Sequence, residues 1–414
     1  MKTIETDVVV VGAGPAGLAA AIELRKLDVG KVLVVDRERE AGGIPRHCHH
    51  TGFGVRDLYR VLTGPAYAQR YVATAKKNGV EIATETTITG WQSNTLLTAT
   101  QPDGLAEIRA SAVVLATGCR ERPRAARMIP GSRPSGIFTT GSLQNFVYLH
   151  HLPVGKRALV VGADHVGFSA VMTLKQAGVD VAGMVTDLPR HQSAFVFKLI
   201  SADRYRVPLY TDMKVTEVLG KNRVEAVKLT HTKDGSVRQV DCDTVVFTGN
   251  WIPDYELSFS GGIEMDSHSK SPRINPALQT SVEGVFATGN LVHAAETADI
   301  AALSGRTTAH SVQAYLSTGN WAGQASLPIV FDAPILWTSP SATSLGQNSA
   351  PNGQFTLRVA EIVNRPILRV LQGDQVLWQK RYRIMIPNLP VHLSDAWLSS
   401  VKDSGEPVRF ELAV

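Results

Sequence analysis

Cysteine is scarce in this sequence, and the spacing of the few cysteines excludes several kinds of site. Only three occur among the 414 residues, at Cys48, Cys119 and Cys242, and none belongs to a CxxC pair. Such a set favours neither a disulfide framework nor a zinc or iron–sulfur site, so we predict no bound metal. Because thiols stay reduced in the cytosol, we expect a cytoplasmic protein.

Long apolar runs and clusters of like charge are also lacking. No segment approaches the ~20 apolar residues that a membrane span needs, and the first residues lead into a strand without a signal-peptide pattern. The formal net charge of +5 comes from dispersed basic residues, which does not favour nucleic-acid binding. We therefore expect no integral membrane segment and no nucleic-acid partner. Peripheral attachment at the inner face of a membrane, through a partner, stays open.

A glycine-rich turn follows the first predicted strand, residues 7–11, and precedes a predicted helix over residues 16–27. Gly12 permits the tight turn, Gly14 lets the backbone approach a pyrophosphate, and Gly17 lets helix and strand pack closely. The free N–H groups and dipole of the helix N-terminus favour the phosphates. Asp36 ends the second strand, where an acid accepts hydrogen bonds from ribose hydroxyls. These residues predict a dinucleotide site.

The same strand–turn–helix unit occurs a second time, beginning at Arg157. Its turn runs from Gly162 to Gly167, with Asp164 where the backbone would meet a pyrophosphate. An aspartate there is bulky and anionic, so it would repel a nicotinamide dinucleotide. We expect this second domain to keep its fold and to have lost NAD(P) binding; the alternative, in which NADPH binds in a shifted pose, stays open.

The ordered set of motifs resembles the pyridine nucleotide-disulfide oxidoreductase-like flavoproteins. It consists of the first turn with Asp36, the pair Gly42-Gly43, Ala116-Thr117-Gly118 and residues 285–289. The resemblance covers about residues 5–320 and implies an FAD-dependent oxidoreductase. The cofactor-binding residues that it implies, together with the turn, are Gly12, Gly14, Pro15, Ala16, Gly17, Asp36, Arg37, Gly42, Gly43, Thr117, Gly118, Gly289 and Asn290. Asn290 stands where the family usually has an aspartate.

The predicted fold class is α/β, with two Rossmann-like (FAD/NAD(P)-binding) three-layer domains and a small C-terminal all-β, sandwich-like domain. The sequence places the FAD-binding domain at residues 1–125 and 250–325 and the degenerate NAD(P)-binding-like domain at residues 126–249. Residues 326–354, rich in Pro, Ser, Thr and Asn from position 340 onward, are predicted as a linker. Residues 355–414 form the predicted β domain, in which no chemistry-bearing constellation is evident.

A narrower resemblance is to the FAD-binding subunit of opine oxidases, hydrogen cyanide synthase and hydroxyproline dehydrogenases. It is carried by residues 43–48, 62–67 and 116–123. It implies a heteromeric dehydrogenase that oxidises amines or amino acids, a small-molecule substrate, and a partner that is a second flavoprotein or an iron–sulfur subunit. We also expect an oligomer.

A histidine-rich loop stands where disulfide reductases carry their redox cysteine pair. It contains Arg46, His47, Cys48, His49 and His50. One cysteine cannot form an intramolecular disulfide, so disulfide reduction is not expected. His47 or His49 is the candidate to move a proton, and Arg46 is the candidate to hold a carboxylate. The alternative is that the cluster lines a subunit interface or bonds to loop backbone.

Three functions follow from these observations. The first is an FAD-dependent dehydrogenase or oxidase subunit that passes hydride from a small amine, amino acid or hydroxylated substrate to FAD, and onward to a partner or quinone. The second is an NAD(P)H-dependent flavin reductase or electron-transfer protein, which requires nicotinamide binding despite Asp164. The third is a non-catalytic, FAD-bearing subunit of a heteromeric dehydrogenase.

Overall fold

The computed structural model describes residues 2–193, 198–321, 326–344, 349–402 and 406–413. The chain forms two compact units. The larger unit comprises residues 1–46, 51–119 and 253–414, and the smaller unit comprises residues 47–50 and 120–252. The C-terminal β region therefore groups with the predicted FAD-binding domain. Residues 194–197, 322–325, 345–348 and 403–405, which also fall in the predicted domain and linker ranges, lie outside the described residues.

A parallel five-stranded sheet lies at the centre of the larger unit. Its strands are, in spatial order, Val285–Ala287, Ala112–Leu115, Val8–Val11, Val32–Val35 and Glu81–Ala83. All four residues of Val8–Val11 are buried. Strands covered on both faces are built from continuous apolar, β-branched runs, and this run of valines is such a strand.

Two layers cover this sheet. Val8 and Val10 share one hydrophobic core with helices, whereas Val9 and Val11 share another with a second sheet. The helices are Pro15–Lys26, Gly64–Lys77 and Ala298–Thr318. The second sheet has the strand order Lys2–Glu5, Gly104–Arg109, Leu96–Gln101 and Thr87–Ser93. Alternate side chains of one strand thus face different layers, as the two-residue period of a strand requires.

The helix Ala298–Thr318 passes very close to the helix Pro15–Lys26. A Cβ built at Gly305 would lie 2.1 Å from the Ala16 carbonyl oxygen, so only glycine fits there. The same helix begins after Thr297 and ends at Gly319, which has a φ of +70°. This left-handed residue is the usual way in which a helix stops.

The C-terminal β region belongs to the larger unit and consists of packed sheets. One sheet has the strand order Ala342–Ser344, Ser326–Phe331, Val408–Ala413, Ile367–Gln372 and Gln375–Arg381. A second has the order Ile335–Ser339, Gln354–Val359 and Val391–Ser394, and a short pair joins Val363–Asn364 to Ile384–Met385. Phe355, Trp397 and Phe410 are fully buried between them. Aromatic side chains of this size supply much of the burial that such a small core needs.

The predicted linker at residues 326–354 needs a correction, because three of these strands lie in it. Ser326–Phe331 pairs in parallel with Val408–Ala413, and Ile335–Ser339 pairs with Gln354–Val359. The parallel partner of the first strand lies about 80 residues away along the chain. The sequence around it is rich in Pro and Ser, so its local composition indicates a loop, and the distant pairing overrides that preference.

The smaller unit repeats the Rossmann-like arrangement. Its parallel sheet has the strand order Ile137–Thr139, Thr244–Phe247, Arg157–Val161, Asp180–Val185 and Leu209–Tyr210. Helices Thr140–Gln144 and His165–Gln176 pack on one face. An antiparallel sheet of Met213–Leu219, Ala226–His231 and Val237–Asp241 shares the core on the other face. The expected fold class, two Rossmann-like domains with a β-rich C-terminal region, is confirmed.

The remaining elements are short. They include the strands Thr51–Phe53, Leu62–Thr63, Cys119–Glu121 and Trp251–Pro253, the helix Glu256–Ser260 and several single helical turns. None of the helices in the described ranges is long and apolar enough to cross a bilayer.

Candidate functional site

The first glycine turn has the geometry of a phosphate cradle. Gly12 has a φ of +111°, and a Cβ there would lie 2.4 Å from the Ala116 carbonyl oxygen. A Cβ at Gly17 would lie 1.9 Å from the Gly12 carbonyl oxygen. Gly14 differs, because a Cβ there would meet no other protein atom within 4 Å. Packing of the protein itself therefore does not require glycine at position 14, whereas a closely approaching ligand does.

The helix that starts at this turn has an uncapped N-terminus. Gly14 is its N-cap and supplies no side-chain hydrogen bond, and Pro15 occupies the first turn. The N–H groups of Ala16 and Gly17 are thus without an intrahelical acceptor at this end. A free helix N-terminus with backbone exposed at Gly14 fits the pyrophosphate of a dinucleotide.

Asp36 supports the turn from the side. Its Oδ2 accepts a hydrogen bond from Ala13 N at 2.6 Å, and its Oδ1 accepts one from Glu38 N at 2.9 Å. A carboxylate has about four acceptor positions, so capacity is left for ribose hydroxyls. Its neighbour Arg37 places Nη2 3.7 Å from Asp254 Oδ2.

The pair Gly42-Gly43 closes over the first turn. Gly42 and Gly43 have φ values of +124° and +63°, and Gly42 N donates to the Ala13 carbonyl oxygen at 2.8 Å. A Cβ at Gly43 would lie 2.8 Å from Gly14 Cα. Both glycines are therefore required by the backbone, and they line the same turn as Gly14.

Four further predicted cofactor residues end neighbouring strands of the sheet. Thr117 Oγ1 donates to the Asp254 carbonyl oxygen at 2.8 Å, and Gly118 has a φ of +79° with no atom near its missing Cβ. Gly289 would place a Cβ 2.5 Å from Ala16 Cβ. Asn290 holds the following loop, since its Oδ1 accepts from Glu296 N at 2.9 Å and its Nδ2 donates to the Glu296 carbonyl oxygen at 3.1 Å.

All the predicted cofactor residues belong to the larger unit, and most of them surround the N-terminus of the helix Pro15–Lys26. Open space beside Gly14 and Gly118, an uncapped helix and a supported carboxylate at Asp36 are together what a dinucleotide cofactor needs. The residues present therefore fit FAD.

The second glycine turn is built differently. Gly162 has a φ of +127°, as expected for a tight turn, but the N-cap of the following helix is Asp164. Its Oδ1 accepts hydrogen bonds from Gly167 N at 2.8 Å and from Thr248 Oγ1 at 2.7 Å. Asp164 is 5% exposed. The carboxylate thus caps the helix N-terminus, which is the place where dinucleotide-binding folds hold phosphates.

Two further charged residues lie in the same part of the smaller unit. Glu121 is buried, and its Oε2 accepts from Gly141 N at 2.8 Å. Burial raises the pKa of Glu121 to about 7, and the charge of Asp164 adds to the rise. Arg127 Nη2 donates to the carbonyl oxygens of Thr248 and Gly249 at 2.7 and 3.0 Å. Neither residue was predicted from the sequence; the available signal was the Arg-Glu-Arg triplet at 120–122.

The histidine-rich loop gives its residues different partners. The Arg46 guanidinium, in the larger unit, is 3.5 Å from Glu38 and 3.6 Å from Glu40. In the smaller unit, His49 stacks on Tyr148 with ring centroids 4.0 Å apart, and burial lowers the pKa of His49. His47 is 8% exposed. Arg46 and His49 therefore contact different residues.

Cys48 has the environment of a structural thiol. Its Sγ donates to Gln144 Oε1 at 3.3 Å, and burial raises the pKa of Cys48 to about 12. A thiolate is the nucleophilic form, so this cysteine is not set up for redox chemistry at neutral pH.

The C-terminal β region contributes a buried arginine to a charged cluster. Arg358 pairs with Glu296 at 3.1 Å, donates to the Asn388 carbonyl oxygen and lies over the Trp337 ring at 5.8 Å. His392 Nδ1 is 3.2 Å from Thr356 Oγ1. In the alternating run 355–359, Arg358 has the pattern of a solvent-facing residue, and its partner lies 62 residues earlier, so sequence spacing alone gave no signal.

This chain is similar to several known proteins. The family model described as pyridine nucleotide-disulphide oxidoreductase matches residues 6–305. An opine oxidase subunit of Agrobacterium tumefaciens is 24% identical over 390 residues, which cover 84% of this chain and 70% of that protein. Dihydrolipoyl dehydrogenase of Manduca sexta is 27% identical over 335 residues, 70% of this chain and 64% of that protein.

One solved structure illustrates the likeness of fold. The crystal structure of T. acidophilum thioredoxin reductase superposes with a TM-score of 0.64 at 19% identity, and the match covers 76% of this chain and 99% of that one. At this identity the likeness concerns the fold alone. The match leaves about a quarter of this chain without a counterpart in that protein.

Proposed function

Because this chain belongs to the pyridine nucleotide-disulphide oxidoreductase family and is an FAD-dependent oxidoreductase, we propose that it is a dehydrogenase or oxidase subunit that takes its electrons from a small amine, amino acid or hydroxylated molecule. Bound FAD supplies an acceptor for the substrate hydride, from which electrons go on to a partner protein or a quinone. The similarity to an opine oxidase subunit, over 84% of this chain, supports a subunit role.

The observation that carries this proposal is the buried carboxylate of Asp164. It caps the helix of the second glycine turn through Gly167 N and is held there by Thr248. A phosphate at this position would meet a negative charge instead of free N–H groups. If Asp164 keeps nicotinamide out, the proposal requires an organic substrate as the two-electron donor.

The residues of the first turn have defined roles in the proposal. Backbone N–H groups at the start of the helix Pro15–Lys26 hold the pyrophosphate, and Gly14 gives it room. Asp36 accepts hydrogen bonds from the ribose, and Gly42 and Gly43 keep side chains away from the turn.

His49 is our candidate for the proton-accepting group, with His47 as the second candidate. The lowered pKa of His49 keeps its imidazole neutral near pH 7, and the neutral imidazole is the form that can take a proton. Arg46 is the candidate for holding a substrate carboxylate, although such a substrate must compete with Glu38 and Glu40. The competition makes Arg46 less well supported than His49.

The alternative of a non-catalytic FAD-bearing subunit has its own support. His49 is stacked on Tyr148, and Arg46 is already ion-paired. Side chains that are engaged in this way are what a structural loop would show. Catalytic turnover by the isolated chain distinguishes this alternative from the proposal.

The experiment is an anaerobic titration of the yellow protein with amines, amino acids and small hydroxylated compounds, followed at the visible flavin band. We expect at least one donor class to bleach the band. His49→Ala should then slow bleaching by at least about a hundredfold at unchanged FAD content. His310→Ala is the control, because His310 is an exposed residue whose nearest acid is Glu23 at 3.8 Å.

Two results would count against the proposal. Bleaching by none of the donors, with FAD present, favours the non-catalytic subunit. Bleaching that His49→Ala and His47→Ala leave at the wild-type rate removes these residues from the chemistry.

A further inference from the structure

A buried ion pair connects the C-terminal β region to the loop that follows Gly289. Arg358 lies on the strand Gln354–Val359, and Glu296 lies just before the helix Ala298–Thr318. Arg358 Nη2 is 3.1 Å from Glu296 Oε1, and the side chains are only 5% and 4% exposed. The same Nη2 donates to the Ala295 carbonyl oxygen at 2.7 Å. Two charges buried away from water are costly unless they stay paired, so separating Arg358 from Glu296 would leave each charge without its partner. The pair therefore constrains the loop to which Glu296 belongs.

The same loop is held from its other end by Asn290. The Asn290 side chain bonds both to Glu296 N and to the Glu296 carbonyl oxygen, at 2.9 and 3.1 Å. The backbone of Glu296 is thus fixed by Asn290, and its side chain is fixed by Arg358. Asn290 is one of the proposed cofactor-binding residues. Arg358 is therefore connected to the cofactor site through one intermediate residue, Glu296.

Among the basic groups around the ion pair, Arg358 is the one that is both buried and positively charged. Burial lowers the pKa of His293 to about 4, and burial also lowers the pKa of His392. Both imidazoles are therefore neutral near pH 7. Burial raises the pKa of Glu296, and the positive charges of Arg358 and Arg56 oppose that rise. Arg56 is exposed, so it is more strongly screened by solvent than Arg358 is.

We propose that Arg358 and Glu296 are a positioning pair for the cofactor site. Together they hold the loop 290–296 in place and set the local balance of charge, and so tune the affinity for FAD and its reduction potential. The inference rests on the proposed placement of FAD at the first glycine turn. It gives the C-terminal β region a definite role, because this region supplies a charged side chain to the loop that carries Asn290.

The first test compares Arg358→Met with Arg369→Met. Arg369 lies in the same β region and pairs with Glu411 at 3.6 Å, but those side chains are 37% and 42% exposed. After removal and re-addition of FAD, we expect Arg358→Met to bind it at least about tenfold more weakly than wild type. Arg369→Met should bind it within about twofold of wild type, because an exposed pair contributes little. Arg358→Lys, which keeps the charge, should recover part of the loss.

The reduction potential of the bound FAD is a second readout. If the pair had a purely structural role, the two single variants would not shift this potential in opposite directions. Arg358→Met leaves a negative charge by the site, so the potential should fall. Glu296→Gln leaves a positive charge, so it should rise. We expect shifts of at least about 30 mV, which is a tenfold change in the ratio of affinities for oxidised and reduced FAD. The double variant should lie between the two.

Each outcome decides between the alternatives. Opposite shifts with an unchanged Arg369→Met control support the positioning pair. Equal shifts of one sign, or none, overturn it. If Arg358→Met fails to fold, Glu296→Gln carries the test alone, because it retains a hydrogen-bonding oxygen. Wild-type protein that binds no added FAD at all would instead contradict the proposed cofactor site, so the two failures are distinguishable.

Discussion

The two glycine turns of this chain share a backbone and differ in the residue at the helix N-cap. Gly12 N and Gly162 N each donate to a neighbouring strand at 2.8 Å. The N-cap residues have nearly equal conformations, with φ and ψ of −79° and −175° at Gly14 and −91° and −177° at Asp164. Only the second N-cap carries a side chain that bonds to the helix.

The two turns differ in the group that satisfies the helix N-terminus. The free N–H groups of the first helix need an acceptor from outside the protein, whereas Asp164 supplies one from within. The second unit has the same turn, helix and sheet, and the N-terminus of its helix is capped by its own carboxylate.

The largest expected effect comes from giving the first turn the residue of the second. The variant is Gly14→Asp. The φ of Gly14 suits any residue, and a Cβ built there meets no protein atom within 4 Å, so the fold should survive. The carboxylate should repel the pyrophosphate and weaken FAD binding by at least about a hundredfold, about 2.7 kcal/mol. Reconstitution with FAD, followed by absorbance, measures this.

Gly14→Ala is the matched variant, since it adds volume without charge and should lose less affinity. A folded Gly14→Asp protein that binds FAD as wild type does would contradict the placement of the pyrophosphate.

The next effect concerns the cap of the second turn. Asp164→Ala removes the acceptor of Gly167 N and the partner of Thr248, so the free energy of unfolding should fall by about 2 kcal/mol. Asp164→Asn keeps a capping oxygen and should fall much less. Thermal unfolding of the three proteins measures both changes. A loss as large in Asp164→Asn as in Asp164→Ala would show that charge, and not capping, accounts for the stability.

The smallest effect is a pH dependence set by Glu121. Its pKa in the folded chain is about 7 against an ordinary value of 4.5, so the folded state binds the proton more strongly than the unfolded state does. The stabilising contribution is therefore complete below about pH 4.5 and is lost as the pH rises through about 7.

Glu121→Gln removes this titration. The variant should be at least about 1 kcal/mol more stable than wild type at pH 8, with the difference shrinking toward pH 5. Exposed Glu5 provides the control, because Glu5→Gln should follow the wild-type profile. Unfolding midpoints across this pH range give the comparison, and parallel profiles for Glu121→Gln and wild type would exclude the mechanism.

The sequence was informative wherever local backbone geometry decides the residue. Gly12 has a positive φ and Gly17 packs against the Gly12 carbonyl oxygen, whereas Gly14 leaves open space beside the backbone. This spacing predicted the turn, and Asp164 was conspicuous because it breaks the same pattern. Such features depend on residues a few positions apart.

The sequence was uninformative wherever partners are distant along the chain. Arg358 and Glu296 meet through the packing of a β region that composition marked in part as a linker. The raised pKa of Glu121 comes from its burial and from the charge of Asp164. The histidine loop lies between these cases: its residue types indicated proton transfer, but their contacts with Tyr148, Glu38 and Glu40 depend on tertiary structure.

The contrast between the two turns predicts that the first holds FAD and that the second is closed to nicotinamide. The anaerobic visible spectrum of the purified protein, before and after an excess of NADH or NADPH, measures both properties at once. We predict a flavin band that persists, because Asp164 occupies the phosphate position. Prompt bleaching by either nucleotide would contradict this prediction, and the chain would then be an NAD(P)H-dependent flavin reductase.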